Sequence, residues 1–185
     1  MIKELLRETE NRMRKTVEVL ESDLRTIRTG RASPALVERV MVDYYGTPTP
    51  LNQLAVIAAP EPQLLTIRPY DPGSLGDIER AILKSELGLT PSNDGRIIRL
   101  PIPRLTEERR QELAKLVRQR VEEGKIALRN IRREVLDDLR DLDKEKMIAE
   151  DDFYRGKDDL QVLTDHHVEL MDEISARKQQ EVLAG

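Results

Sequence analysis

The chain has 185 residues, 36% of them charged and only 3% aromatic, with one Phe, no Trp and no Cys. That mix excludes disulfides and thiolate metal sites, suits a reducing compartment, and argues against one large compact core. A net charge of -4 beside 38% apolar residues argues against disorder, and no apolar run reaches the ~20 residues of a membrane span. The opening segment MIKELLRETE is charged from its third residue and holds no signal-peptide core.

Apolar spacing predicts a first helix through Ile2, Leu6, Thr9, Met13, Val17, Leu20, Leu24 and Ile27, with Thr9 its one polar lapse. All ten prolines then fall between Pro34 and Pro103. Interior proline costs a helix ~3 kcal/mol, so a proline-rich middle between proline-free flanks marks two kinds of structure. Within the middle, Val37–Tyr44, Leu64–Arg68 and Arg96–Leu100 read as strands, with Leu54–Ala59 a fourth. Ser74 and Asp77 suggest a capping box for a short helix through Ile78, Ile82 and Leu83, ended by Gly88. Ser92–Gly95 reads as a turn.

A second long helix is expected from Thr106, with Glu107 and Glu108 in its first turn. Its stripe runs Leu113, Val117, Val121, Gly124, Leu128, Ile131, Val135, Leu139 and Leu142. About 40 residues at 1.5 Å each make it roughly 60 Å long. After a break near 148–150, a looser stripe follows through Phe153, Gly156, Leu160, Leu163, His167, Leu170 and Ile174. The fold class expected is α+β: a long antiparallel three-helix bundle (1–29 plus 105–185) with an inserted small α/β domain (31–104). The links, Thr29-Gly30-Arg31 and Pro103-Arg104-Leu105, are expected to act as hinges.

Charge is uneven along the second helix. Residues 109–133 hold nine Lys/Arg against three Glu, whereas residues 134–173 hold five basic and fifteen acidic groups. Arg118, Lys125, Arg129 and Arg132 share an arc of roughly 60°, and Arg133 and Lys115 extend that face. Such a stripe suits phosphate, because guanidinium presents a planar fork of donors and keeps its charge. The same stripe also reads as a solvated face salt-bridged to the acidic third helix.

Catalytic combinations are thin, and no enzyme, cofactor or metal is expected. His166 and His167 are the only histidines, and His167 falls on the helical seam. The pairs Asp137-Asp138, Asp151-Asp152 and Asp158-Asp159 lack the Gly-bearing spacing of a calcium loop. The segment Thr29–Pro34 lacks the order of a phosphate loop.

Several ordered segments carry a resemblance: Ile27–Pro34 (IRTGRASP), Tyr44–Leu51 (YYGTPTPL), Leu105–Arg110 (LTEERR) and Ala127–Arg133 (ALRNIRR). With Leu87–Pro91 and Glu150–Asp152 they closely resemble the bacterial ribosome recycling factor family over the whole chain. The resemblance implies an L-shaped molecule that disassembles the post-termination ribosome with elongation factor G, which hydrolyses the nucleotide. It implies cytoplasmic action as a monomer, on large-subunit ribosomal RNA and away from membranes. Carried over by motif, Arg129, Arg132 and Arg133 would be RNA contacts, and Arg28 and Arg31 belong to a motif also turned towards RNA. Lys125 and Arg118 join them from the stripe. Departures from the family pattern are modest: Ala149 stands for the Ser usual before Glu-Asp-Asp, Val162 for Lys, and Glu86 and Thr90 for Asp and Asn. Two other readings have distinct signatures. A helical adaptor or chaperone needs exposed apolar stripes, and a hydrolase needs His166 or His167.

Overall fold

A computed structural model describes residues 1–184. The chain divides into two compact units, one of Met1–Leu24 with Glu112–Glu181, the other of Arg25–Gln111 with the chain end from Val182.

The first unit is built from three helices: α1 (Ile2–Arg25), α3 (Glu107–Lys144) and α4 (Glu150–Ala184), α2 lying in the insert. Gly124 of α3 lies against Leu20 of α1 and Met171 of α4. Gly156 of α4 lies against Ile2 and Leu139. Numbers rise along α1 and α4 while they fall along α3, so α3 runs antiparallel to both. The stripes are buried at Met13, Val17, Leu20, Leu24, Val117, Val121, Leu128, Val135 and Leu139, among others. The seam is therefore internal to the three helices, while Val19, Ile126 and Val162 stay exposed on their outer faces.

Local chemistry explains the helix ends and the polar lapses. Thr106 starts α3 as expected, its Oγ1 accepting the Arg109 N–H at 3.1 Å. Thr9 is buried because its hydroxyl donates to the Leu5 carbonyl at 2.8 Å, which removes the cost of an unpaired donor. Between α3 and α4 the chain turns at Lys146, whose φ is +58°. The α4 seam is wider than its apolar stripe, since Thr164 and Ser175 are buried beside Leu160, Met171 and Ile174. Thr164 manages this by donating to the Leu160 carbonyl at 2.8 Å.

The second unit holds β1 (Met41–Tyr44), β2 (Thr47–Pro50), β3 (Ala55–Glu61), β4 (Leu64–Pro69), α2 (Leu75–Lys84), β5 (Ser92–Asn93) and β6 (Ile98–Pro101). Strands β1 and β2 form a hairpin, Tyr44 opposite Thr47, closed by Tyr45 (φ +50°) and Gly46 (φ +84°). The positive φ at both loop positions is what a two-residue turn between right-twisted strands requires. The other strands form an antiparallel sheet in the order β3-β4-β6-β5. Leu65, Ile67, Ile98 and Leu100 of that sheet pack with Ile78 and Ile82 of α2, all of them inaccessible.

Three local expectations are corrected. The strand expected over Val37–Tyr44 starts only at Met41. Ser33 and Pro34 initiate a tight 3-10 turn over Pro34–Leu36, and Leu36 and Val37 fill the core without extending. Ser74 does not cap α2 with its side chain: its hydroxyl donates to the Asp71 carbonyl at 2.7 Å. Asp71 makes the turn instead, accepting the Gly73 N–H at 2.9 Å. Helix α2 ends at Lys84, before Gly88, and Leu83 faces solvent. Pro48 and Pro50 argue against a strand, yet Thr47–Pro50 forms β2; it is tolerated because β2 pairs on one side only.

Candidate nucleic-acid interface

Helix α3 positions the basic stripe on a rigid 38-residue rod whose apolar face is fixed in the bundle. The cations of that stripe have different partners. Lys125, whose side chain is only 18% exposed, pairs with Asp172 of α4. Arg118 Nη1 donates to Gln179 Oε1 at 3.0 Å, and Arg132 Nη1 donates to Gln161 Oε1 at 3.0 Å. Arg129 Nη1 lies 3.3 Å from Glu122 Oε1, both half-exposed and both on α3. Arg133 is exposed, with no hydrogen bond or ion pair among the described residues. Salt-bridging to the acidic helix, one of the two readings of the stripe, is thus seen at Lys125, while Arg118 and Arg132 meet neutral amides. A cleft of about 130 Å³ adjoins Arg132, floored by Leu136 and Leu160 and edged by Lys157 and Asp158.

In the second unit, Arg28 Nη2 donates to the Pro103 carbonyl at 2.9 Å, while its Nε is buried with no hydrogen-bond partner among the described residues. Burial, and then the Arg109 charge, lower the Arg28 pKa from its ordinary value. A guanidinium held in this way gains from an anion that supplies the missing acceptor. Arg31 and Arg104 are exposed. Gly30, just before Arg31, adopts φ +82° and is buried; a Cβ there would sit 3.6 Å from Leu105 Cγ. The left-handed conformation, more than the space, demands glycine. Thr29 is partly buried, and Pro103 is exposed.

Both histidines lie on α4. His167 is buried in the bundle with Nδ1 2.8 Å from the Leu163 carbonyl, and His166 stacks edge-on beside it at 5.3 Å. No group of His, Asp and Glu among the described residues is arranged to hold a metal ion. Asp151 and Asp152 occupy the first turn of α4, where acids oppose the helix dipole. No helix among the described residues is long and apolar enough to cross a membrane.

Three long packed helices, an inserted antiparallel sheet and a guanidinium-rich helix face define a class: helical proteins with a small inserted sheet and a cationic helix face. A sequence profile described as ribosome recycling factor matches residues 20–183. A ribosome-recycling factor from Roseiflexus sp. (strain RS-1) is 60% identical over 183 residues, covering 99% of each chain. The solution structure of a ribosome recycling factor superposes with a TM-score of 0.79 at 36% identity, covering 100% of this chain and 98% of the other. A second structural match, at 47% identity and a TM-score of 0.69, covers 99% of each chain. It comes from models for the T. thermophilus ribosome recycling factor and the E. coli elongation factor G bound to the E. coli post-termination complex. The chain belongs to the ribosome recycling factor family.

Proposed function

We propose that this protein recycles ribosomes: it docks on the post-termination ribosome and, with elongation factor G and its GTP hydrolysis, separates the subunits and frees mRNA and tRNA. It works in the cytoplasm as a monomer and catalyses no reaction of its own. The observation that carries the docking step is the arginine face of α3, where Arg118, Arg132 and Arg133 form no ion pair among the described residues although α4 beside them is acidic. Uncompensated guanidinium on a stiff rod suits the closely spaced phosphates of folded RNA, which position a protein without reading sequence. Arg129 joins them, and Arg28 and Arg31 form a second contact region. Lys125, already compensated by Asp172, contributes more to holding α3 against α4. The links 29–31 and 103–105 serve as hinges that let the inserted domain follow the translocase while the bundle holds the RNA.

The test is co-sedimentation of Arg132→Ala with vacant ribosomes, followed by subunit splitting with elongation factor G and GTP. Charge-assisted hydrogen bonds are worth ~1.5–3 kcal/mol, so affinity should fall from roughly tenfold to over a hundredfold. Stability should hold, because alanine is the better helix former and Arg132 loses only one bond to a neutral amide. Unchanged affinity with a lowered melting temperature would refute the RNA-contact reading.

A further inference from the structure

We propose that Gln161 and Gln179 are positioning residues: from α4, each aims one arginine of α3 at RNA while leaving its charge whole. This rests on the reading of the arginine face given above. The two amides are built alike. Gln161 Oε1 accepts from Arg132 Nη1 at 3.0 Å, and its Nε2 donates to Asp165 Oδ1 at 2.9 Å. Gln179 Oε1 accepts from Arg118 Nη1 at 3.0 Å, and its Nε2 donates to Ser175 Oγ at 2.8 Å. Each glutamine is anchored one turn away along its own helix and uses its only acceptor on the arginine. For Gln161 the orientation is dictated by chemistry, since Arg has donors only and a carboxylate acceptors only, so a flipped amide would lose both bonds.

The two glutamines stand 18 residues apart, five whole turns, and therefore share one face of α4. Their partners stand 14 apart on α3, within about 40° of one another. This face meets the arginines with amides although residues 149–185 carry ten carboxylates. Where a carboxylate does reach across, at Asp172, its partner is a lysine. The distinction has a physical consequence. A glutamate at 161 would take the Arg132 fork in a charge-assisted pair and cancel the charge that phosphate needs. A glutamine takes one of five N–H groups and leaves four for the RNA. It also holds a flexible side chain in place before docking, so less rotamer freedom is lost on binding.

Binding to vacant ribosomes, measured over a range of salt concentrations alongside melting temperature, tests this with Gln161→Glu, Gln161→Ala, Arg132→Ala and the double variant of the last two. Gln161→Glu should bind at least fivefold more weakly, with a melting temperature equal to or above that of the parent. Its plot of log affinity against log salt should be shallower by about 0.7–0.9, one phosphate contact. Val162→Glu, which adds the same charge on an exposed neighbour, should change the slope by much less. Gln161→Ala should bind roughly three- to tenfold more weakly with the parental slope, and should add nothing to Arg132→Ala. A parental slope and affinity in Gln161→Glu, or additive losses in the double variant, would overturn the positioning role while Arg132→Ala still binds weakly. Parental binding by Arg132→Ala would instead remove the arginine reading on which the proposal stands.

Discussion

Alanine substituted at two helical glycines should move stability in opposite directions. Both Gly124 and Gly156 lie inside long helices, where alanine is favoured by about 0.8–1.0 kcal/mol. At Gly156 the new methyl would meet Ile2 Cγ2 and Leu139 Cδ2 at 3.4 Å, the edge of ordinary contact, and Ile2 is the first residue of α1. That end of the helix yields easily, so most of the propensity gain should survive, about 0.5–1 kcal/mol of added stability. At Gly124 the methyl would lie 3.2 Å from both Sδ and Cε of Met171 and 3.5 Å from Leu20 Cδ2. Met171 is completely buried where all three helices meet, so its thioether has little room to withdraw. Overpacking of this kind costs about 1–3 kcal/mol, which outweighs the propensity gain and leaves a net loss of up to about 2 kcal/mol. One kcal/mol is about 2–4 °C in a chain of this size. Thermal melts followed by circular dichroism should therefore place Gly156→Ala above the parent and Gly124→Ala below it, several degrees apart. If Gly124→Ala melts as high as Gly156→Ala, the three helices do not close on Met171 as described.

Ala149 precedes α4 and offers no side-chain acceptor, only its carbonyl to the Phe153 N–H at 3.0 Å. Ala149→Ser should add ~1 kcal/mol, read as a rise of a few degrees in melting temperature. Asp94 accepts the Ile97 and Arg96 N–H groups and pairs with Arg99, which depresses its pKa to about 2. A depressed carboxyl stabilises the fold above its ordinary pKa of 3.8 and loses that contribution as pH falls through about 2. Carboxyl NMR should find this low titration, and Asp94→Asn should flatten the stability profile across that window. The Gly73 N–H and then the Tyr45 hydroxyl lower the Asp71 pKa, so Tyr45→Phe should move the Asp71 titration upward in the same experiment.

What the sequence reveals here follows the range of each interaction. The bundle seams are legible because each stripe repeats along one helix and so reports its own buried face. Thr106 is legible because a cap is satisfied within three residues. Ser74 misleads because Asp71, three residues upstream, competes for the same turn and wins. The breadth of the α4 seam is hidden because Thr164 and Ser175 look polar while their hydroxyls can be satisfied within the helix. The arginine stripe is visible as a one-helix pattern. The partners that separate Lys125 from Arg118 and Arg132 are not, since they depend on the register between α3 and α4, which neither helix encodes alone.

The Thr-Pro-Thr-Pro strand has a consequence for the chain before it finishes folding. Successive residues of a strand point their N–H groups to opposite sides, and the positions facing away from β1 are Pro48 and Pro50. The outer rim of β2 therefore has no amide donor along its length. During synthesis this hairpin emerges ahead of β3–β6, at the stage when unpaired rims recruit neighbouring nascent chains. A second strand approaching the β2 rim would find carbonyls without the matching N–H groups and could not zip on there. The residues that conceal the strand from a reader of the sequence also conceal it from other polypeptides on a crowded polysome.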